Sequence, residues 1–148
     1  LGGFIGLSTT TDKGCMLRAI IEGLDYQFKD ILFSFERALP GNIQKIIAVG
    51  GAVRNQLWMQ NKADVTGKVI EVPALEEATT LGAALLAGIG LGLYKNEQDA
   101  FQQTYKESRI YEPDSSRQKE YEDYYPIFKK LYPSLKEVNH DIFNRFKS

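Results

Sequence analysis

The stretch Ile46-Ile47-Ala48-Val49-Gly50-Gly51-Ala52-Val53-Arg54-Asn55-Gln56-Leu57-Trp58-Met59-Gln60 decides the fold. A β-branched run breaks at two glycines and passes into helical periodicity, which reads as a strand, a tight turn and a helix. Gly51 stands where a Cβ would intrude on a ligand lying across the turn, while Gly50 serves the turn itself. Unpaired N–H groups at the start of the helix favour an anion, and a flat, charged ligand such as a nucleotide suits that geometry. A strand-to-helix turn of any α/β protein is the plainer reading of the same glycines.

A second short strand, Val69 to Val72, is closed by Pro73, and Thr66-Gly67 ends the helix between the two strands, about Asn55 to Val65. Together they predict a right-handed parallel βαβ unit. Strand one, about Lys45 to Val49, lacks polar alternation, which predicts burial on both faces. The next helix, about Leu75 to Leu93, carries Gly82-Ala83-Ala84, small residues that admit a close neighbour. Glycines 88, 90 and 92 weaken its last turns by roughly 1 kcal/mol each relative to alanine, so fraying or a tight packing contact is expected there. Glu76 and Glu77 at its start suit the helix dipole.

Upstream, the hydroxyl-rich segment from Ser8 to Asp12 is suited to cap a long helix. In that helix Leu17, Ile21, Leu24, Phe28, Ile31, Phe35 and Leu39 form one apolar stripe that stops at Pro40-Gly41. A core helix packed on a sheet is expected. The spacing also matches a coiled-coil seam, so a homodimer is the alternative.

Composition narrows the function classes. The 148 residues are 43% hydrophobic and 25% charged, ordinary for one domain, and the net charge of -1 offers no basic field for nucleic acid. One cysteine and one histidine make neither a disulfide framework nor a zinc set. A single cysteine fits a reducing cytoplasm, and without an apolar run of about 18 residues no membrane span is expected.

Ten of the 17 aromatic residues lie in the tail, residues 96–148, which marks it as a distinct segment. Tyr121, Tyr124, Tyr125, Phe128, Leu131, Tyr132 and Leu135 share helical spacing and read as an amphipathic packing face. Pro126 and Pro133 are expected to start or kink helices. Asp64, before Val65-Thr66-Gly67, reads as structural, and His140 as part of a polar helix face.

Two segments carry a family resemblance. The first is Gly3-Phe4-Ile5-Gly6-Leu7, seven residues and then Cys15-Met16-Leu17-Arg18-Ala19-Ile20-Ile21-Glu22; the second runs from the glycine turn to Glu77-Ala78-Thr79-Thr80-Leu81-Gly82-Ala83-Ala84. Together they resemble the FGGY carbohydrate kinases over about residues 2–94. Cys15 departs from the His, Asn, Gln or acidic residue usual there, and Val49 stands where many members have a third glycine.

The resemblance implies an α/β fold: a partial ribonuclease-H-like domain of the actin-like ATPase type, helix-rich, with a short parallel βαβ unit and a helical tail. It implies that residues 1–148 are a fragment of the C-terminal, nucleotide-side domain, in keeping with a chain that begins at Leu1. ATP with Mg2+, and a sugar or polyol of xylulose type, are the implied cofactor and substrate, with the metal held mainly outside this chain. Gly50, Gly51 and Ala52 would line the adenosine and phosphate side. Asn55, whose amide offers the donor and acceptor needed by the edge of adenine, would contact the base; a helix cap is its structural alternative. Trp58 and Gln60 are expected to face the core and a packing interface, with Trp58 beside the base as an alternative, and Arg54 to be solvated. No catalytic residue and no metal ligand is assigned, because the Asp-x-Gly-Thr loop and catalytic aspartate of such kinases belong to another domain. The rival readings are a free-standing nucleotide-binding module and a helical interaction protein.

Overall fold

The computed structural model describes residues 2–39, 41–74, 78–104 and 107–146. Pro40, Glu76 and Glu77 therefore lie outside the described residues. In chain order the elements are α1 (Lys13–Ala38), β1 (Lys45–Ile47), a 3-10 turn (Gly51–Arg54), α2 (Gln56–Thr66), β2 (Val69–Pro73), α3 (Ala78–Gly90), α4 (Glu97–Thr104), β3 (Ser108–Tyr111) and α5 (Ser115–Phe146).

β2 is the middle of a three-stranded sheet. It runs parallel to β1, with Ile46 opposite Ile70, and antiparallel to β3, with Glu71 opposite Ile110. The parallel β1–α2–β2 unit is the one the sequence predicts. Gly67 ends α2 in the left-handed region, at φ 67°, and its N–H donates to the Ala63 carbonyl. Met59 and Ala63 of α2 pack with Ile70 and Val72 of β2 and with Val53 of the turn. Glu71, buried in mid-strand, pairs with Lys45 at 2.6 Å and accepts from Ser108 Oγ at 2.8 Å.

Three expectations need correction. β1 is not buried on both faces: Ile46 is half-buried against the core, whereas Ile47 is 58% exposed. Only one face of this edge strand meets α2. The tail is not wholly helical, because residues 108–111 form β3 and complete the sheet. Nor does Pro126 or Pro133 start a helix, since both lie inside α5. Seven residues apart, they lie on one face of it, and both are exposed, as are Glu122 and Lys129, whose carbonyls lose their usual N–H partners.

α1 begins as predicted. Asp12 caps it, its Oδ1 accepting from the Cys15 N–H at 2.7 Å, a bond that holds the Asp12 carboxyl below the usual carboxylate range. Its packing is not as predicted. α1 lies on α2 and α5 rather than on the sheet, and it buries Asp25, Tyr26 and Leu32, while Leu17 of the apolar stripe is 64% exposed. At 100° per residue the buried face sits roughly a quarter turn from the stripe. Polar partners on α2 select that face.

The α1–α5 contact is aromatic. Tyr26 stacks on Phe128 at 5.0 Å between ring centroids and on Tyr125 at 5.8 Å, and meets Tyr121 edge-on at 6.0 Å. Its hydroxyl donates to the Tyr121 carbonyl at 3.1 Å, and burial pushes its phenol well above the ordinary value. The expected packing face of the tail is thus partly realised, with Tyr124 and Tyr132 left exposed.

α3 ends at Gly90 rather than near Leu93. The Leu93 N–H donates to the Gly88 carbonyl, the Gly92 N–H donates to the Ile89 carbonyl, and Gly92 has φ 74°, which together form a Schellman stop. A side chain at Gly88 would meet the Tyr94 ring at 2.7 Å, so the close packing contact expected there is present. No helix among the described residues is long and apolar enough to cross a membrane.

Candidate functional site

The turn between β1 and α2 is built by two glycines with different jobs. Gly50 has φ 94° and ψ −176°, a conformation essentially restricted to glycine. Gly51 has no such backbone demand, and a Cβ built on it would meet nothing within 4 Å. Neither backbone strain nor packing among the described residues requires a glycine at 51. Its bareness leaves an open surface at the head of α2.

The 3-10 turn that follows binds itself through the Val53 N–H to the Gly50 carbonyl (3.2 Å) and the Asn55 N–H to the Ala52 carbonyl (3.1 Å). The N–H groups of Gly51 and Ala52 start the turn, ahead of the groups its own bonds employ. Asn55 then caps α2, its Oδ1 accepting from the Trp58 N–H at 3.1 Å. The cap engages the amide oxygen and leaves the NH2 group as the part of this exposed side chain that is available to a ligand. Gly50, Gly51, Ala52 and Asn55 therefore share one exposed edge, and Arg54 is exposed beside them.

Where α1 meets α2 lies a buried polar cluster which sequence reasoning missed. Asp25 of α1, wholly buried, accepts from Trp58 Nε1 at 3.0 Å and Lys62 Nζ at 2.6 Å on one oxygen, and from Asn61 Nδ2 at 2.8 Å on the other. Asn61 Oδ1 in turn accepts from the Tyr121 hydroxyl at 2.7 Å, and that hydroxyl lies 2.8 Å from Glu22 Oε1 and 3.3 Å from Arg18 Nη2. These bonds to Tyr121 and Glu22 hold the Arg18 guanidinium above its ordinary value. The available signal was positional: Trp58, Asn61 and Lys62 stand three and four residues apart, on one face of a helix.

Trp58 and Gln60 face inward as expected. Gln60 Nε2 donates to Asp64 Oδ1 and to the Glu112 carbonyl, both at 2.8 Å. Asp64, buried, also accepts from the Asp114 N–H at 2.9 Å at the start of α5, which gives it the structural role read from the sequence. His140 is exposed on α5. Among the described residues no group of three or more His, Cys, Asp or Glu side chains is placed to hold a metal ion. A groove of about 1310 Å³ between residues 2–5, α1 and α5 does not reach Gly50 or Asn55.

Residues 1–91 match the sequence pattern of the C-terminal domain of the FGGY family of carbohydrate kinases. The chain belongs to that family. A xylulose kinase of Staphylococcus epidermidis is 31% identical over 141 residues, which are 95% of this chain and 28% of that protein. A glycerol kinase of Carboxydothermus hydrogenoformans is 38% identical over 117 residues, 79% of this chain and 23% of that protein. The crystal structure of a xylulose kinase from Rhodospirillum rubrum superposes with a TM-score of 0.77 at 27% identity, covering 93% of this chain and 28% of the other. The FGGY chain thus spans little more than a quarter of the curated xylulose kinase it matches, and its helices and small mixed sheet have the actin-like ATPase fold of the family's C-terminal domain.

The two glycines of this FGGY domain are separable by experiment. Gly50→Ala is expected to destabilise the chain by about 1–3 kcal/mol, because alanine must adopt a glycine-only conformation. Gly51→Ala is expected to be neutral or stabilising by up to about 1 kcal/mol. Urea denaturation of the two variants checks both.

Proposed function

We propose that this chain supplies the adenosine wall of an ATP-dependent sugar kinase. The observation that carries the reading is Gly51, bare where the chain itself needs no glycine, at the head of a capped and exposed helix start. In this reading adenosine lies across Gly50, Gly51 and Ala52. The Asn55 NH2 donates to the adenine ring, while its oxygen stays committed to the α2 cap. The N–H groups that open the turn and the α2 dipole favour the negative end of the nucleotide.

Xylulose is the favoured sugar, in keeping with the xylulose kinases among the relatives, and a three-carbon polyol is the alternative that the glycerol kinases represent. The proposal places sugar binding, the catalytic base and magnesium outside these residues, so this chain alone would bind part of ATP and transfer no phosphoryl group. It also places the enzyme in the cytoplasm. What the chain contributes is positioning, which carries most of the catalysis in phosphoryl transfer. One observation favours an added homodimer: Leu17, Leu24, Ile31 and Phe35 leave an apolar stripe exposed along α1.

In the protein as the cell makes it, Gly51→Val is expected to raise the KM for ATP at least tenfold, by filling the space the base or ribose would occupy, with the KM for sugar unchanged; an unaltered ATP KM removes the wall from Gly51. Sedimentation at micromolar concentration tests the dimer, and a monomer there ends that proposal.

A further inference from the structure

The buried Asp25 cluster is not adjacent to the proposed wall, yet it is built into the same helix. All three donors to its carboxylate come from α2: Trp58, Asn61 and Lys62. Residues at these spacings share one face, so a single side chain on α1 fixes the rotation of α2 about its axis. Trp58 has two roles. Its indole N–H donates to Asp25, and its backbone N–H donates to the Asn55 oxygen at 3.1 Å. The second bond decides which way the Asn55 carboxamide points, and therefore where its NH2 group is presented.

We infer that Asp25 is a positioning residue for nucleobase recognition, acting through Trp58 to set the orientation of Asn55. The inference rests on the reading of residues 50–55 as the adenosine wall. Asp25 touches no nucleotide. Its carboxylate holds the tryptophan, the tryptophan holds the first turn of α2, and that turn aims the amide. Lys62 pairs with the buried carboxylate at 2.6 Å and is itself enclosed, lying 4.3 Å above the Phe28 ring. Asn61 extends the same clamp to Tyr121 of α5, so the cluster ties three helices together.

Two variants loosen the chain of contacts at different links. Trp58→Phe keeps an aromatic ring in place and removes the indole N–H together with part of the ring's bulk, leaving Asp25 with Lys62 and Asn61. Asp25→Asn keeps the shape and removes the charge. In the protein as the cell makes it, each is expected to raise the KM for ATP roughly fivefold, the scale of one hydrogen bond. Each is also expected to narrow the preference for ATP over GTP, with the sugar KM held. A merely structural role would lower thermal stability and active fraction without altering which base is preferred. Trp58 is the chain's only tryptophan, so within this chain its emission reports the local environment directly, and Asp25→Asn should shift it.

Asn55→Ala is the control. If it abolishes the base preference while Trp58→Phe and a folded Asp25→Asn both keep the parent preference, the positioning role is overturned and the wall stands. If Asn55→Ala itself keeps the parent preference, the adenosine wall fails and this inference fails with it. Should Asp25→Asn not fold, Trp58→Phe decides alone.

Discussion

A carboxylate with no contact to water organises this domain. Burying an ion carries a large solvation cost unless charge and hydrogen bonds answer it inside the protein. For Asp25 the answer is complete: an ammonium at 2.6 Å, an indole N–H at 3.0 Å and an amide N–H at 2.8 Å, all from α2. Removing one side of such a buried pair typically costs about 3–5 kcal/mol, a large fraction of what holds a domain together. That requirement locks α1 against α2 and selects the face that α1 buries. Because α2 also packs on β2 through Met59 and Ala63, the lock extends to the sheet.

The contrast between the two ends of this arrangement gives the domain its character. Among α1, α2 and α5, Asp25, Asn61, Lys62 and Tyr121 are buried or half-buried and bonded to one another. At the turn before α2, Gly50, Gly51, Ala52 and Asn55 are exposed. A bare rim carried by a rigidly held helix is how a folded scaffold presents a ligand surface with little reorganisation on binding. Membership of a kinase family supports reading that rim as a nucleotide surface. The asymmetry between Gly50 and Gly51 says which part of the rim serves the fold and which part is left open.

Much of this was legible from residue patterns, and the failures share a cause. The β1–α2–β2 unit followed from periodicity and from Gly67, and the Asp12 cap from a run of short polar side chains, because both are local effects. The α1 stripe was legible as a stripe but not as exposed. Periodicity identifies side chains that share a face, whereas burial depends on what covers that face. Asp25 passed unnoticed for the same reason, since its three donors lie 33 to 37 residues away. β3 is a four-residue strand recruited by the free edge of β2 rather than by strong propensity of its own. In α5 the helix continues through both prolines, with the neighbouring carbonyls on exposed residues where water is at hand. At the site, Gly50, Gly51 and Asn55 stood out by residue type and spacing, while the buried cluster that holds α2 did not.

The most direct test is a crystal structure of the protein, as the cell makes it, with a non-hydrolysable ATP analogue. The account predicts the adenine ring against Gly51, with the Asn55 NH2 within hydrogen-bond distance of a ring acceptor and the Asn55 oxygen still on the Trp58 N–H. An adenine bound elsewhere, with residues 50–55 open to solvent, would contradict it.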